Sequence, residues 1–221
     1  MSTAGIFDKY HEKYDNWYSE NTIIALNELK TVKQALDYPY HPCLEVGVGS
    51  GWFASKVVCD IGLDPSYNML LKAKKRRIEV IQGLGESLPS RSRVFKTVLI
   101  IVTICFVDNS NLVLKEAVRV VKGDGRIILC IVPRDSPWGK YYTKLSKAGH
   151  LFYRVARFYT INELIRIASR MNLELEKCMG TLSFHPEDTP FREGPRKCIG
   201  GEGFVCLRFK PSFPQTSQSY Q

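Results

Sequence analysis

No stretch of the 221-residue chain is long and apolar enough to cross a bilayer. The longest apolar run, Val98 to Val107, is broken by Thr103 and has about half the ~20 residues a spanning helix needs. The opening residues, Met1 to Lys30, lack the apolar core of a secretion signal, so a cytoplasmic location is expected. Zinc signatures are missing too. His11-Glu-Lys-Tyr-Asp15 has no second histidine of an H-E-x-x-H pair, and none of the seven cysteines falls in a CxxC pair. No metal site is expected. Cys43, Cys59, Cys105, Cys130 and Cys206 lie in or beside apolar segments, where a free thiol behaves as a small hydrophobe. Free structural cysteines are therefore expected, not a disulfide framework. Internal repeats and interdomain linkers are also absent, which leaves one domain.

What is present is a basic, moderately apolar chain. Hydrophobic residues make up 44% of it, enough for a full core. Lys and Arg number 31 against 22 Asp and Glu, a net charge of +9 that favours anionic partners without bearing on fold. Residues 1–40 read as amphipathic cap helices, with an aromatic stretch, Tyr10-His-Glu-Lys-Tyr-Asp-Asn-Trp-Tyr18, ahead of Ile23, Leu26 and Leu29 at helical spacing. Residues 41–210 form the core. Strands at 43–46, 61–63, 79–82, 94–104 and 126–132 alternate with helices at 52–59, 66–77 and 112–121. Strands apolar on both faces and separated by helices predict a parallel sheet covered on both sides. A helix at 160–171 opens on a capping box, Thr160-Ile-Asn-Glu163. Segments 173–179 and 203–209 alternate like an antiparallel edge hairpin, joined by a loop over 184–202. Residues 211–221 read as a frayed tail.

The informative stretch is Leu44-Glu-Val-Gly-Val-Gly-Ser-Gly-Trp-Phe53, a strand running through glycines into a helix. Such a junction exposes backbone N–H groups to a ligand. Its spacing is G-x-G-x-G, and Trp52 stands where a dinucleotide fingerprint needs its last glycine, which argues against NAD or FAD. No Lys-Ser/Thr pair follows, which excludes a P-loop. Asp64, 19 residues after Glu45 at the end of the second strand, can accept both hydroxyls of a ribose. Glu45 would repel a pyrophosphate but suits a ligand with positive charge.

This arrangement resembles the class I S-adenosylmethionine-dependent methyltransferases, in their small-molecule, type 11-like branch. Glu45-Val-Gly-Val-Gly-Ser-Gly51 is similar to that family's first motif and Asp64-Pro-Ser66 to its second. Gln82-Gly-Leu-Gly-Glu-Ser-Leu-Pro89, Phe95 to Val107, and Ala117 to Gly125 resemble its later elements in the same order. The resemblance implies a Rossmann-like, seven-stranded, mainly parallel α/β sheet and S-adenosylmethionine as cofactor. It implies a cofactor site of Glu45, Val46, Gly47, Gly49, Asp64, Pro65, Leu84, Gly85, Glu86 and Thr103. In it, Gly47 and Gly49 admit the methionine moiety, Glu45 orients the amino end and Asp64 holds the ribose. Pro65 packs on the adenine, and Gly85 offers its N–H to the ring. Two positions depart from the family: Leu84 stands where an acid usually binds the adenine amino group, and Lys96 replaces the Asp of Phe-Asp in strand four.

Methyl transfer from a sulfonium needs alignment and exclusion of water more than a dedicated catalytic side chain. The catalytic residue therefore stays open, with His150, His185 and Asp108 as candidates. Tyr10, Tyr14, Trp17, Trp138, Arg154 and Arg157 are candidates for contact with the acceptor. Residues 134–157 carry six Lys or Arg against one Asp, interleaved with aromatics, which suits a flat, anionic small molecule. Two rival readings remain: an RNA methyltransferase using the basic surface, and a non-catalytic protein that binds the cofactor.

Overall fold

The structure, a computed structural model, describes residues 2–38 and 40–212. Eight strands form one mixed sheet in the order β3-β2-β1-β4-β5-β8-β6-β7. The first five, β1 (Cys43–Val46), β2 (Ile61–Asp64), β3 (Glu79–Gln82), β4 (Phe95–Ile101) and β5 (Val121–Ile131), pair in parallel. β6 (Leu173–Thr181), β7 (Arg196–Lys197) and β8 (Phe204–Pro211) complete it in antiparallel fashion. The predicted architecture is therefore observed, with one strand more than the seven expected. The extra strand is the two-residue β7, which pairs with Met179 and Gly180 inside the stretch read as a loop. So short a strand carries no periodicity to read.

Strand β4 accounts for the two-sided burial. Leu99 and Ile101 enter one core with α3 (Thr22–Leu36), α4 (Trp52–Val57) and α5 (Tyr67–Lys75). Val98 and Ile100 enter the other, with α6 (Ser110–Val120) and α8 (Ile161–Ser169). Alternate residues point to opposite faces, so both must be apolar. The capping box at Thr160 and Glu163 forms as expected. β5 starts five residues earlier than predicted, because the β5 residue facing β4 jumps from Val121, opposite Phe95, to Arg126, opposite Thr97, across a bulge. The core runs to Pro211 in β8, and the expected tail beyond residue 212 lies outside the described residues.

The cysteine expectation is overturned. Cys43–Cys59, Cys130–Cys206 and Cys178–Cys198 are disulfides, and among the described residues only Cys105 is a free thiol. Apolar flanks announce burial, which a half-cystine and a thiol share. What decides pairing is register, and Cys130 faces Cys206 directly across β5 and β8. No helix among the described residues is long and apolar enough to cross a membrane.

At the N-terminus, α1 (Thr3–Lys9) packs against α5, α2 (His11–Glu20) against α1 and α3, and α3 against the β5, β8 and β6 side of the sheet. Asp8 accepts hydrogen bonds from Ser66 Oγ and Asn68 N at 2.9 Å each, at the start of α5. Lys72 pairs with Glu12 at 2.8 Å. Arg76 pairs with Asp15 at 3.0 Å and donates to Ser50 O at 2.6 Å. One guanidinium thus ties α2 to the glycine loop. Arg76→Ala is expected to loosen this cap by about 1.5–3 kcal/mol, the scale of hydrogen bonds to charged groups. Hydrogen exchange should accelerate in α2 and stay unchanged in β4.

Candidate active site

Sheet order reverses at β1, whose neighbours are β2 and β4. In open α/β sheets such a switch point opens a crevice beyond the carboxyl ends of the strands. A cavity of about 480 Å³ sits there, lined by Glu45, Gly47, Asp64, Gly85, Thr103 and Phe7 among others. It holds every residue of the expected cofactor set: Glu45, Val46, Gly47, Gly49, Asp64, Pro65, Leu84, Gly85, Glu86 and Thr103.

Local geometry follows from the glycines. Gly47 has φ +72°, and a Cβ there would lie 2.2 Å from Thr103 Cγ2. Thr103 Oγ1 donates to Gly47 O at 3.2 Å and to Ile101 O at 3.0 Å, which locks the loop to β4. Gly51 does the close packing, since a Cβ on it would lie 2.9 Å from Ala73 Cα in α5. Trp52 therefore does not obstruct the helix; its ring stacks on Tyr18 of α2 at 4.5 Å.

Two buried carboxyls face this cavity. Asp64 accepts from Gly49 N and Ser66 N, each at 2.9 Å. Burial pushes its carboxyl up to about 6, against the pull of those two N–H groups. Glu45 is 2% exposed, and its Oε2 has no hydrogen-bond partner. Burial raises it well above the carboxylate range, against a backbone hydrogen bond from Ala54. An orphaned buried acceptor of this kind is complemented by a ligand ammonium. The cavity thus offers an unpartnered carboxyl at Glu45, a second buried carboxyl at Asp64, and apolar walls at Met69, Leu84 and Leu112.

A second cavity, about 330 Å³, adjoins the first. Tyr14, Tyr18, Phe53, Val102 and Phe106 line both. Val102 holds a left-handed φ of +51°, unusual for a β-branched residue, with its N–H bonded to Cys130 O. Strain of this sort costs about 1–3 kcal/mol and gathers at functional sites. Beyond the shared wall the cavity is aromatic, with Trp17, Trp138, Tyr142, Phe152, Tyr153 and Phe158. Buried Trp138 is fixed by donating its indole N–H to Phe184 O at 2.7 Å.

Of the acceptor candidates, Tyr14, Trp17 and Trp138 line this second cavity. Tyr10 lines neither; it sits at the α1–α2 junction under Lys9. Arg154 and Arg157 also line neither, being exposed, with Arg157 over the Tyr159 ring. His150 lines the second cavity, and burial together with Lys13 lowers its basicity. His185 is on the 184–202 loop beside Glu187 and lines neither cavity. Asp108 is exposed on the rim of the first cavity, while the cap of α6 is Asn109. Glu28 was missed, because a glutamate on an amphipathic helix reads as solvent-facing. Among the described residues no group of three or more His, Cys, Asp or Glu is placed to hold a metal ion.

The methyltransferase domain family matches residues 44–129. A SAM-dependent methyltransferase of Thermotoga maritima, named a possible histamine N-methyltransferase, is 35% identical and superposes with a TM-score of 0.89. That match covers 94% of this chain and 99% of the other. The chain belongs to the S-adenosylmethionine-dependent methyltransferases. An uncharacterized protein of Methanocaldococcus jannaschii is 36% identical over 91% of this methyltransferase and 97% of its own length. The magnesium protoporphyrin IX methyltransferase of Synechocystis, solved with S-adenosylhomocysteine bound, is 14% identical with a TM-score of 0.67. It covers 96% of this chain and 100% of its own, and at that identity it shares the fold alone.

Asp64→Ala is expected to weaken S-adenosylhomocysteine binding by about 1.5–3 kcal/mol. The hydroxyls need the ionised carboxylate. Affinity should therefore rise as pH climbs through about 6 and level off above 7. Titration calorimetry across that range checks both, and the variant should lose the part of the pH dependence centred near 6.

Proposed function

We propose that the protein transfers the methyl group of S-adenosylmethionine to a small-molecule acceptor held in the aromatic cavity. One observation carries the reading: two cavities share a wall of Tyr14, Tyr18, Phe53, Val102 and Phe106. A donor in one and a nucleophile in the other meet across that wall, the arrangement an in-line displacement requires. S-adenosylmethionine, when bound, supplies a methyl carbon activated by its positively charged sulfur.

The chain supplies placement. Glu45 receives the amino end of the methionine moiety, and the Gly47–Gly49 backbone lets it approach closely. Asp64 holds the ribose hydroxyls, with Pro65, Leu84 and Gly85 around the adenine. Phe7 and Tyr14 from the cap close over the site and exclude water, supported by edge and stacked contacts with Phe106 and Phe152. The name of the Thermotoga maritima relative points to an amine nitrogen as the methylated atom here too.

The basic segment 134–157 keeps an RNA acceptor as the second reading, with Arg154 and Arg157 on the outside. Incubation with S-adenosylmethionine and panels of amines, phenols, thiols, acids and RNA tests the choice through release of S-adenosylhomocysteine. Release with a small molecule is expected. Release only with RNA, together with binding that falls steeply with salt, identifies the second reading. Cofactor binding with no release from any panel identifies a non-catalytic binder.

A further inference from the structure

We propose that Glu28 anchors the acceptor, and that the acceptor is a compact basic amine on an apolar, ring-sized body. This rests on the methyl-transfer reading above and on the amine nitrogen already suggested there, and adds to them the residue that recognises the acceptor.

Helix α3 buries three neighbouring polar side chains, and two of them are spoken for. Asn27 donates to Phe191 O at 2.8 Å and accepts from Glu193 N at 3.1 Å, pinning the 184–202 loop. Thr31 donates to Asn27 O at 2.9 Å. Glu28, 6% exposed, has no hydrogen bond or ion pair with any described residue, and it lines the aromatic cavity. Burial alone pushes its carboxyl up to about 8. An unpartnered carboxyl in such a place is costly to the fold, and a ligand that completes it relieves the cost.

The other titratable groups of the cavity leave Glu28 alone in its role. Burial keeps the phenols of Tyr14 and Tyr18 on α2 protonated, and likewise Tyr142 and Tyr153. The Cys105 thiol is pushed up to about 12, and His150 is made less basic. Lys13 and Glu20 are exposed at the mouth. Glu28 is therefore the buried group here that can carry negative charge. Around it, Tyr142 stacks on Tyr153 at 4.2 Å and Trp138 meets Tyr142 edge-on at 5.8 Å. Ring faces attract cations, and a carboxyl completes an ammonium-binding pocket.

The same pocket repels acids. An acceptor carboxylate or phosphate would lose its water and face Glu28, while Arg154 and Arg157 stay outside. The geometry thus reverses the anionic acceptor expected from the charge of residues 134–157. It also answers how an ammonium becomes a nucleophile. One proton moves from the bound nitrogen to the Glu28 carboxylate, leaving a neutral amine with its lone pair beside a neutral carboxyl. Burial favours that exchange.

The test is calorimetric titration of 2-phenylethylamine, 2-phenylethanol and 3-phenylpropanoate into protein saturated with S-adenosylhomocysteine. The amine is expected to bind about 30-fold tighter than the other two. Its affinity should climb between pH 6 and 8 as Glu28 ionises. Glu28→Gln, matched in size, should bring the amine within about threefold of the alcohol and flatten the pH profile. Its S-adenosylhomocysteine affinity should stay within about twofold of the parent, because Glu28 does not line the donor cavity. Equal or tighter binding of the propanoate, no binding of the amine, or an amine preference that survives Glu28→Gln overturns the proposal. The parent pH profile tests it even where the variant folds poorly. Turnover is scored separately: amine binding without S-adenosylhomocysteine release removes the methyl-transfer reading and leaves the anchor. Release from alcohols or acids with amines excluded removes the anchor and leaves methyl transfer.

Discussion

Gly47→Ala is expected to weaken S-adenosylhomocysteine binding about 100-fold, close to 2.7 kcal/mol. Two costs combine. An L side chain at φ +72° is strained by about 1–2 kcal/mol. The new Cβ would also lie 2.2 Å from Thr103 Cγ2, 2.4 Å from Oγ1 and 2.8 Å from Cβ. Turning the Thr103 side chain cannot clear a clash that includes its own Cβ. The glycine loop must then retreat from β4, breaking the Thr103 bond to Gly47 O and moving a wall of the donor cavity. Gly49→Ala is the control. Its φ is +52°, but the nearest atom to a new Cβ is Tyr14 Cε1 at 3.9 Å, so only backbone strain applies. Binding should fall by about tenfold or less in that variant. Calorimetry on the pair checks the ordering, and equal losses would contradict the cradle described for Gly47.

Removing the Cys130–Cys206 bridge should cost about 4.5 kcal/mol of stability, from the loop its 76-residue separation closes. The bridge joins β5 to β8, directly opposite one another, and so fastens the antiparallel part of the sheet to the parallel part. The double replacement Cys130→Ala, Cys206→Ala avoids leaving a lone thiol, and its urea midpoint reads the loss. Thiol titration of the parent under denaturant supplies the independent check. One reactive thiol, Cys105, should appear without reductant and seven with it. Seven in both conditions would contradict the three bridges.

Much of the architecture was legible because its causes are local. Cys43–Val46 and Glu79–Gln82 match the strands read from apolar runs, and the Thr160 capping box sits where its hydroxyl and carboxyl spacing put it. The lining of the first cavity was equally legible, since the strand-to-glycine-to-helix junction and Asp64 lie close together in the sequence. What was missed depends on contacts distant in the chain. The ion pairs of Lys72 and Arg76 could not be read, because their partners Glu12 and Asp15 lie about sixty residues earlier. Cys130 and Cys206 needed strand register. Glu28 needed knowledge of what covers α3. The charge of 134–157 could not place its side chains for a related reason: a count says nothing of direction, and Arg154 and Arg157 are exposed and do not line the cavity that the aromatics of the same segment line.

The account turns on which cavity receives the cofactor, and a crystal structure of the protein with S-adenosylhomocysteine tests that most directly. The ribose hydroxyls should lie on Asp64 and the amino group on Glu45, with the sulfur at the wall formed by Tyr14, Tyr18 and Phe106. Adenosine density in the aromatic cavity, or an occupied site in which Asp64 and Glu45 touch nothing of the ligand, would contradict it.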